Sequence, residues 1–351
     1  MNDYDIWFIL LDISNKMKIK LIDRFKNAKE IWYYTLNEKN ISKTKAEETW
    51  KMVEGLKQTL FNNKINFVTK MSEDYPSKLK NYDDAPYVLF YKGDIKKLNT
   101  CKNVSIVGSR KCSSYGINVT KQIVEKLSTY NINIISGMAR GIDYYAHFES
   151  IKQKNFTCAI LGSGVDVVYP KENIRLYNDI IEKGCVISQF LPGTKPFHYN
   201  FPIRNRIIGG LSEITIVVEA GLKSGSQITA NAAIEMGNDV VAVPGSVLSK
   251  YSMGTNSLIK DGAFPFTNIK DIFDLLGINY NIINKPIIRK MTIAEEKIYK
   301  LINNDPIHID DIVKITDIDI SQIYGLLFEM QLNDEIMCLS GNYYVRANNL
   351  I

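Results

Sequence analysis

The chain reads as an α/β protein: a Rossmann-like parallel sheet flanked by a small helical N-terminal domain and a C-terminal winged helix. Three observations predict this. Short β-branched runs alternate with segments of helical length between residues 66 and 263; the first 65 residues keep only a helical period; and three helical patterns followed by two short strands close the chain. The expected domains are therefore 1–65, 66–285 and 286–351.

In the first domain, apolar residues recur three or four apart, at Ile6, Leu10 and Ile13 and again at Leu21, Ile22 and Phe25. Trp7, Trp32 and Trp50 all fall here and are expected to anchor its core. From residue 66 the period changes. Runs at 104–107, 132–135, 157–161, 185–188, 214–218 and 240–243 are apolar on successive positions. Helical patterns at 116–130, 139–153, 173–183 and 226–237 separate them. Strands apolar on both faces and alternating with helices predict a parallel sheet covered on both sides. Residues 264–290, with Pro265, Pro286 and an Asn-rich stretch at 279–284, are expected to be a linker. Helices over 293–302, 309–315 and 320–332, then strands over 333–339 and 343–346 joined through Ser340-Gly341-Asn342, complete the winged helix.

Composition narrows the function classes. The 351 residues are 45% hydrophobic and 23% charged, ordinary values for a globular chain. No stretch reaches the roughly 18 apolar residues of a membrane span, and the acidic start Met1-Asn2-Asp3-Tyr4-Asp5 is unlike an export signal. Five scattered cysteines without C-x-x-C spacing read as reduced, mostly buried thiols of a cytoplasmic protein. The net charge of +5 conceals an asymmetry: residues 286–351 hold 6 basic and 10 acidic side chains, a net of −4, which leaves +9 on residues 1–285. A basic body suggests a polyanionic partner and an acidic tail a different one.

The predicted strand ends carry the chemistry. The first runs into Gly108-Ser109-Arg110-Lys111, the second into Ser136-Gly137-Met138-Ala139-Arg140-Gly141, the third into Gly162-Ser163-Gly164 and on to Tyr169-Pro170-Lys171-Glu172-Asn173. In open parallel sheets ligands bind beyond these ends. Glycine admits a ligand to the backbone, helix N-termini offer free amides to an oxyanion, and Arg110, Arg140 and Lys171 add positive charge. Neither G-x-G-x-x-G nor G-x-x-x-x-G-K-[ST] is present, so polyanion binding without dinucleotide or P-loop chemistry is the better reading. The segment Phe197 to Arg206 sets aromatics beside Arg204 and Arg206, a combination suited to bases and phosphates of a single strand, although core aromatics with a surface ion pair would give the same pattern. Asp143 and Glu219 could act as acid or base, or equally as helix-end or loop anchors, and no His/carboxylate spacing suggests a metal.

Several segments in order resemble the DprA/Smf family of bacterial DNA-processing proteins. They are Asp74-Tyr75-Pro76, Ala85-Pro86, Leu89 to Asp94, VGSRKCSSYG (107–116), ISGMARGIDYYAH (135–147), LGSGVDVVYPKEN (161–173), FPIRNRIIGGLS (201–212) and the long segment 217–245. The resemblance is continuous over about 66–263; the flanking modules, a helical (SAM/helix-hairpin-helix-like) one and the winged helix, carry it weakly. It implies a non-catalytic single-stranded DNA binder that protects incoming DNA, loads RecA recombinase during natural transformation, forms a homodimer and needs no cofactor. By motif, Arg110 and Lys171 would be the pocket cations. Ser136, Gly137, Arg140, Arg204 and Arg206 would line the pocket with Gly108, Ser109, Gly162, Gly164, Asn173 and Asn205. The family is also related in fold to nucleotide-phosphate hydrolases, so hydrolysis of a nucleotide or nucleoside phosphate is the alternative. The helix expected at 319–330 has no Lys or Arg, unlike a reader of duplex grooves, which predicts a protein-interaction module instead.

Overall fold

A computed structural model of the chain describes residues 2–37, 43–280, 291–303, 305–332, 335–339 and 341–346. They divide into two compact units, Met1–Thr267 with Leu275–Gly277, and Asn268–Asp274 with Ile278–Ile351.

The first unit opens with five helices, α1 (Asp3–Leu10), α2 (Asn15–Phe25), α3 (Ala28–Asn37), α4 (Lys43–Lys51) and α5 (Val53–Asn62). Side chains that accept backbone N–H groups start the first two: Asn2 from Tyr4 at 3.1 Å and Ser14 from Met17 at 3.2 Å. These bonds satisfy donors that a helix leaves free at its N-terminus. The tryptophans form a chain of rings, Trp7 edge-on to Trp32 at 5.0 Å and Trp32 against Trp50 at 4.5 Å. This cluster does not close on itself. Phe8 meets Tyr87 edge-on at 5.1 Å, and one hydrophobic core runs from Ile6, Trp7 and Phe8 through Tyr87 and Phe90 to Ala159 and Val186 of the sheet. The helices of 1–65 thus share a core with the α/β body, and a boundary near residue 65 is one of sequence pattern.

The rest of the unit comprises β1 (Asn66–Thr69), α6 (Ser77–Lys80), β2 (Val88–Gly93), β3 (Asn103–Val107), α7 (Ser114–Ser128), β4 (Asn133–Ser136), α8 (Ile142–Lys152), β5 (Thr157–Ile160), α9 (Ile174–Lys183), β6 (Cys185–Ser188), α10 (Asn200–Leu211), β7 (Ile214–Val217), α11 (Gly225–Glu235), β8 (Asp239–Ala242), α12 (Met253–Lys260) and β9 (Phe264–Pro265). The sheet order is β1-β2-β6-β5-β4-β3-β7-β8-β9. From β6 to β9 every pairing is parallel, whereas β1 with β2 and β2 with β6 are antiparallel. The predicted parallel core is therefore right, with an antiparallel edge that the sequence reading did not foresee. All residues of β3, β4, β5, β6 and β7 are buried, as strands covered on both faces must be.

From β3 the chain first builds outward through β4, β5 and β6, then returns to lay β7 on the other side of β3. That makes the gap between the ends of β3 and β7 a switch point, where connections leave in opposite directions and a crevice opens.

The second unit holds α13 (Ile269–Leu275), α14 (Ile293–Leu301), β10 (Ile307–His308), α15 (Ile309–Thr316), α16 (Ile320–Leu332), β11 (Ile336–Leu339) and β12 (Tyr343–Arg346). Its sheet order, β10-β12-β11, and the helices α14, α15 and α16 form the winged-helix arrangement around Ile298, Ile302, Ile309, Ile312, Ile323, Leu327, Met330, Ile336 and Tyr344. A capping box starts α14, Thr292 and Glu295 each satisfying the other's backbone N–H.

The expected linker needs correction, because 264–280 contains β9 and α13. Residues 281–284, Pro286 and Ser340 lie outside the described residues. The thiols also differ from expectation: Cys158 and Cys185 are buried, but Cys101 and Cys112 are half-buried and Cys338 is exposed. No described helix is long and apolar enough to cross a membrane.

Candidate functional site

The loops beyond the parallel strands converge. A small cavity of about 30 Å³ is lined by Arg110, Gly137, Ala139, Arg140, Leu161, Gly162, Ser163, Tyr169, Pro170, Phe201 and Arg204. A much larger one, about 630 Å³, occupies the switch-point crevice between the ends of β3 and β7. It is lined by Val107 to Lys111, by Gly221 and Lys223 to Ser226, and by Phe201, Arg204 and Asn205 of α10. The two cavities share Arg110, Ala139, Phe201 and Arg204.

Phe201 is the hub. The Arg110 guanidinium lies 5.7 Å and that of Arg204 5.8 Å from its ring centre, and Tyr169 packs on it at 5.6 Å. Phe201 and Arg204 come to the strand ends because the segment 200–211 is a helix, which the sequence reading missed. No element was assigned to this segment from the sequence; its Pro202 is tolerated in a first turn, where its missing N–H would have no partner anyway.

The same helix separates the two arginines of R-N-R. Residues two apart on a helix point about 200° away from each other. Arg204 is buried among the strand ends, its guanidinium donating to the carbonyls of Ile160 and, at 2.7 Å, Gly137, and to Asn205 Oδ1 at 3.0 Å. Arg206 points elsewhere: it pairs with Asp84 at 2.8 Å and Glu235 at 2.6 Å and lines a separate cleft with Leu79, Tyr82 and Met236. The expectation that both line one pocket is not met.

Arg204 and Asp143 are buried together at the loops and attract each other electrostatically. Asp143 Oδ2 accepts from Gly137 N at 3.2 Å. Burial pushes the Asp143 carboxyl up and the Arg204 guanidinium down to about 10, while the attraction of each for the other opposes both shifts. The positive charge of Arg110 adds a further, smaller downward push on Arg204. Gly137 is small of necessity: a Cβ there would lie 2.5 Å from Arg204 Nη1 and 2.7 Å from Asp143 Oδ2. Behind them His147 is fully buried, its Nδ1 2.7 Å from Thr157 Oγ1, and burial together with Arg204 lowers its pKa to about 3.

The remaining predicted residues divide by exposure. Arg110 and Lys171 are exposed, and among the described residues neither meets a carboxylate. Lys171 stands next to the Tyr169-Pro170 wall of the smaller cavity without lining it. Arg140 is exposed but paired with Glu172, Nη2 donating to Oε2 at 2.8 Å, so it bridges two loops. Ser136 is buried and donates to Ile106 O at 2.6 Å, holding β4 to β3. Asn173 is buried and donates to Met138 O at 3.0 Å, holding the 171–173 turn against the loop after β4. Ser109 Oγ donates to Lys111 O at 2.7 Å and shapes the first turn. Asn205 donates to Gly225 O at 3.2 Å. Gly108 lines the larger cavity, Gly162 packs under the Phe201 ring, and Gly164 lies by Asp166.

Sequence reasoning overlooked Lys223, Ser224, Gly225 and Ser226, which line the larger cavity. Their signal was present: a basic and small-residue run directly after a strand and before a helix, the same signature that marked the other three loops. The two candidate acids are both anchors. Glu219 accepts from Ser113 N at 2.9 Å and from Ser113 Oγ, fixing the residue whose side chain caps α7; Asp143 is held as described above.

Comparison with known proteins places the chain in a family. The family model described as DNA recombination-mediator protein A matches residues 66–277, and that of the DprA winged helix domain matches 289–342. The DNA processing protein DprA of Bacillus subtilis is 41% identical over 212 residues, covering 60% of this chain and 71% of that protein. Protein Smf of Escherichia coli is 33% identical over 281 residues, covering 78% and 75%. The crystal structure of DprA from Streptococcus pneumoniae superposes with a TM-score of 0.70 at 32% identity, covering 80% of this chain and 99% of that one. DprA from Helicobacter pylori, whose structure is described for its single-stranded DNA binding mode, superposes with a TM-score of 0.56 at 28% identity, covering 62% and 99%. With its α/β body and its winged helix both matched in order, the chain belongs to the DprA/Smf family of DNA processing proteins.

Proposed function

We propose that the joined cavities hold single-stranded DNA, and that the protein protects the strand and hands it to RecA recombinase as a cytoplasmic homodimer. The observation that carries the binding step is Arg110, an exposed cation with no carboxylate partner among the described residues, poised over Phe201 where the two cavities meet. An aromatic ring for a base and cations for phosphates are the two elements that single-strand binding combines. The relative from Helicobacter pylori supports the same ligand. The hand-over rests on the family's description as a recombination mediator. A hydrolase would need a free acid or base at this edge, whereas Asp143 and Glu219 both hold loop backbone; the chain acts by binding.

Fluorescence anisotropy of a labelled oligo-dT across a salt series tests the reading. Phosphate contacts by about three cations give a slope near 2 in log Kd against log salt, because each contact on a single strand releases about 0.7 counterion. Arg110→Ala and Lys171→Ala each lower the slope. Salt-independent binding, or turnover of nucleoside phosphates that is lost in Asp143→Asn, would discard this function. Light scattering of the free protein and a RecA filament assay on coated oligonucleotide address the homodimer and the hand-over separately.

A further inference from the structure

The winged helix presents a surface that contributes none of the residues assigned above to strand binding. One face of α16 is spent on the unit's own core, with Ile323, Leu327 and Met330 fully buried. Ile320, Tyr324 and Phe328, spaced i, i+4, i+8, form a second apolar stripe that is 42%, 44% and 61% exposed. Such a stripe is about 12 Å long, two turns of a helix. Gly325 lies beside it in mid-helix, where glycine is unfavourable. A Cβ built on Gly325 meets nothing within 4 Å, so no contact within the fold requires the glycine there. A missing side chain next to exposed rings lets another backbone come close.

The charge on and just before the helix is negative: residues 317–332 contain no Lys or Arg, Asp317 and Asp319 precede the helix and Glu329 lies in it, while on α15 Asp311 is already paired with Lys314 at 3.5 Å. Nucleic acid is repelled by such a surface, and a basic segment is attracted. We infer that this face of α16 docks an amphipathic helix of a protein partner, its apolar stripe packing on Tyr324 and Phe328 across the Gly325 notch and its Lys and Arg flanks meeting the acidic rim. Apolar anchors at helical spacing with complementary flanks are a recurrent mode of helix recognition. The inference is independent of the strand-binding reading.

The test uses the full chain and two synthetic helical peptides of one pattern, Leu on one face with either Lys or Glu elsewhere. The Leu/Lys peptide is expected to bind with a micromolar Kd and the Leu/Glu peptide at least tenfold more weakly. Tyr324→Ser and Phe328→Ser should each weaken the Leu/Lys peptide at least tenfold, while Phe61→Ser, which removes a ring 84% exposed on α5, leaves it unchanged. Gly325→Gln fills the notch without touching the core, so it should cut binding comparably while the thermal midpoint holds or rises; it decides the matter if the serine variants fold poorly. Equal binding of both peptides, no binding of either, or insensitivity to Gly325→Gln overturns the proposal. So does loss of self-association or of duplex DNA affinity in Phe328→Ser with peptide binding intact, since either assigns the face to a different occupant.

Discussion

The strand ends of the α/β unit and helix α16 of the winged helix meet their surroundings in opposite ways. At the strand ends, Arg110 and Lys171 remain exposed without carboxylates beside them, and the apolar element, Phe201, is half-buried beneath a cation. On α16 a stripe of apolar side chains, Ile320, Tyr324 and Phe328, is exposed, and the charge on and just before the helix is negative. The first arrangement suits a ligand that brings negative charge and flat rings; the second suits one that brings apolar surface and positive charge. A net charge of +5 for the whole chain describes neither. What distinguishes them is how far each charge is compensated locally, because a cation already paired has little left for a phosphate.

The largest effect should come from the compensated cation inside the site. Arg204→Met removes the buried charge that attracts Asp143 and leaves the carbonyls of Gly137 and Ile160 without their donor. Each buried group left unsatisfied costs about 1–3 kcal/mol, readable as a lower midpoint in urea. Strand affinity would then fall because the loops lose their frame. An unchanged midpoint would show that Arg204 is not the anchor.

Next is Arg110→Ala. The exposed cation contributes little to folding, within about 0.5 kcal/mol for a surface position, but its loss should weaken oligo-dT binding by about 1–3 kcal/mol, the range for a charge-assisted contact. If stability fell and affinity held, the roles of Arg110 and Arg204 would have to be exchanged.

A smaller effect appears in acid. In the folded protein His147 takes up a proton only near pH 3, whereas in the unfolded chain it does so near 6.5. The unfolded state therefore binds the extra proton, so the contribution is complete above pH 6.5 and is lost as pH falls towards 3. The slope approaches about 1.4 kcal/mol per pH unit below pH 6. Urea midpoints measured from pH 7 to 5 should fall less steeply in His147→Gln than in the parent chain; parallel profiles would rule the histidine out as the source.

The smallest effects sharpen the boundary between the regions. Arg206→Ala should change strand affinity less than about twofold, as its charge is already met by Asp84 and Glu235 at a surface where such pairs contribute only about 0–1 kcal/mol. Deleting residues 287–351 should likewise leave oligo-dT affinity in place, since Asp319–Met330 carries no cation for phosphate. A large loss in either variant would break the contrast drawn between paired and unpaired cations.

Much of the site was legible in the chain. Strands with apolar residues on both faces must be buried on both, so their alternation with helices specified a parallel sheet, and a parallel sheet puts its ligands at the carboxyl ends where Gly108 to Lys111, Ser136 to Gly141 and Gly162 to Lys171 lie. Less legible were β1 and β2, whose antiparallel pairing is made with each other and with β6, so that the partners of β2 include a strand about 95 residues later in the chain. Helix α10, which carries Pro202 in its first turn, went unassigned. The Lys223–Ser226 segment went unread although its composition matched that of its neighbours.

The sequence alone determined which element types follow one another and which loops carry glycine and cations, because hydrophobic period and local backbone freedom are properties of neighbouring residues. Only the tertiary structure decided which cations stay available. Arg140, Arg204 and Arg206 resemble Arg110 in the sequence, yet their partners lie far along the chain. Glu172 is 32 residues from Arg140, the Ile160 carbonyl is 44 from Arg204, and Asp84 is 122 from Arg206. Pairing and desolvation depend on distance in space, and folding sets that distance.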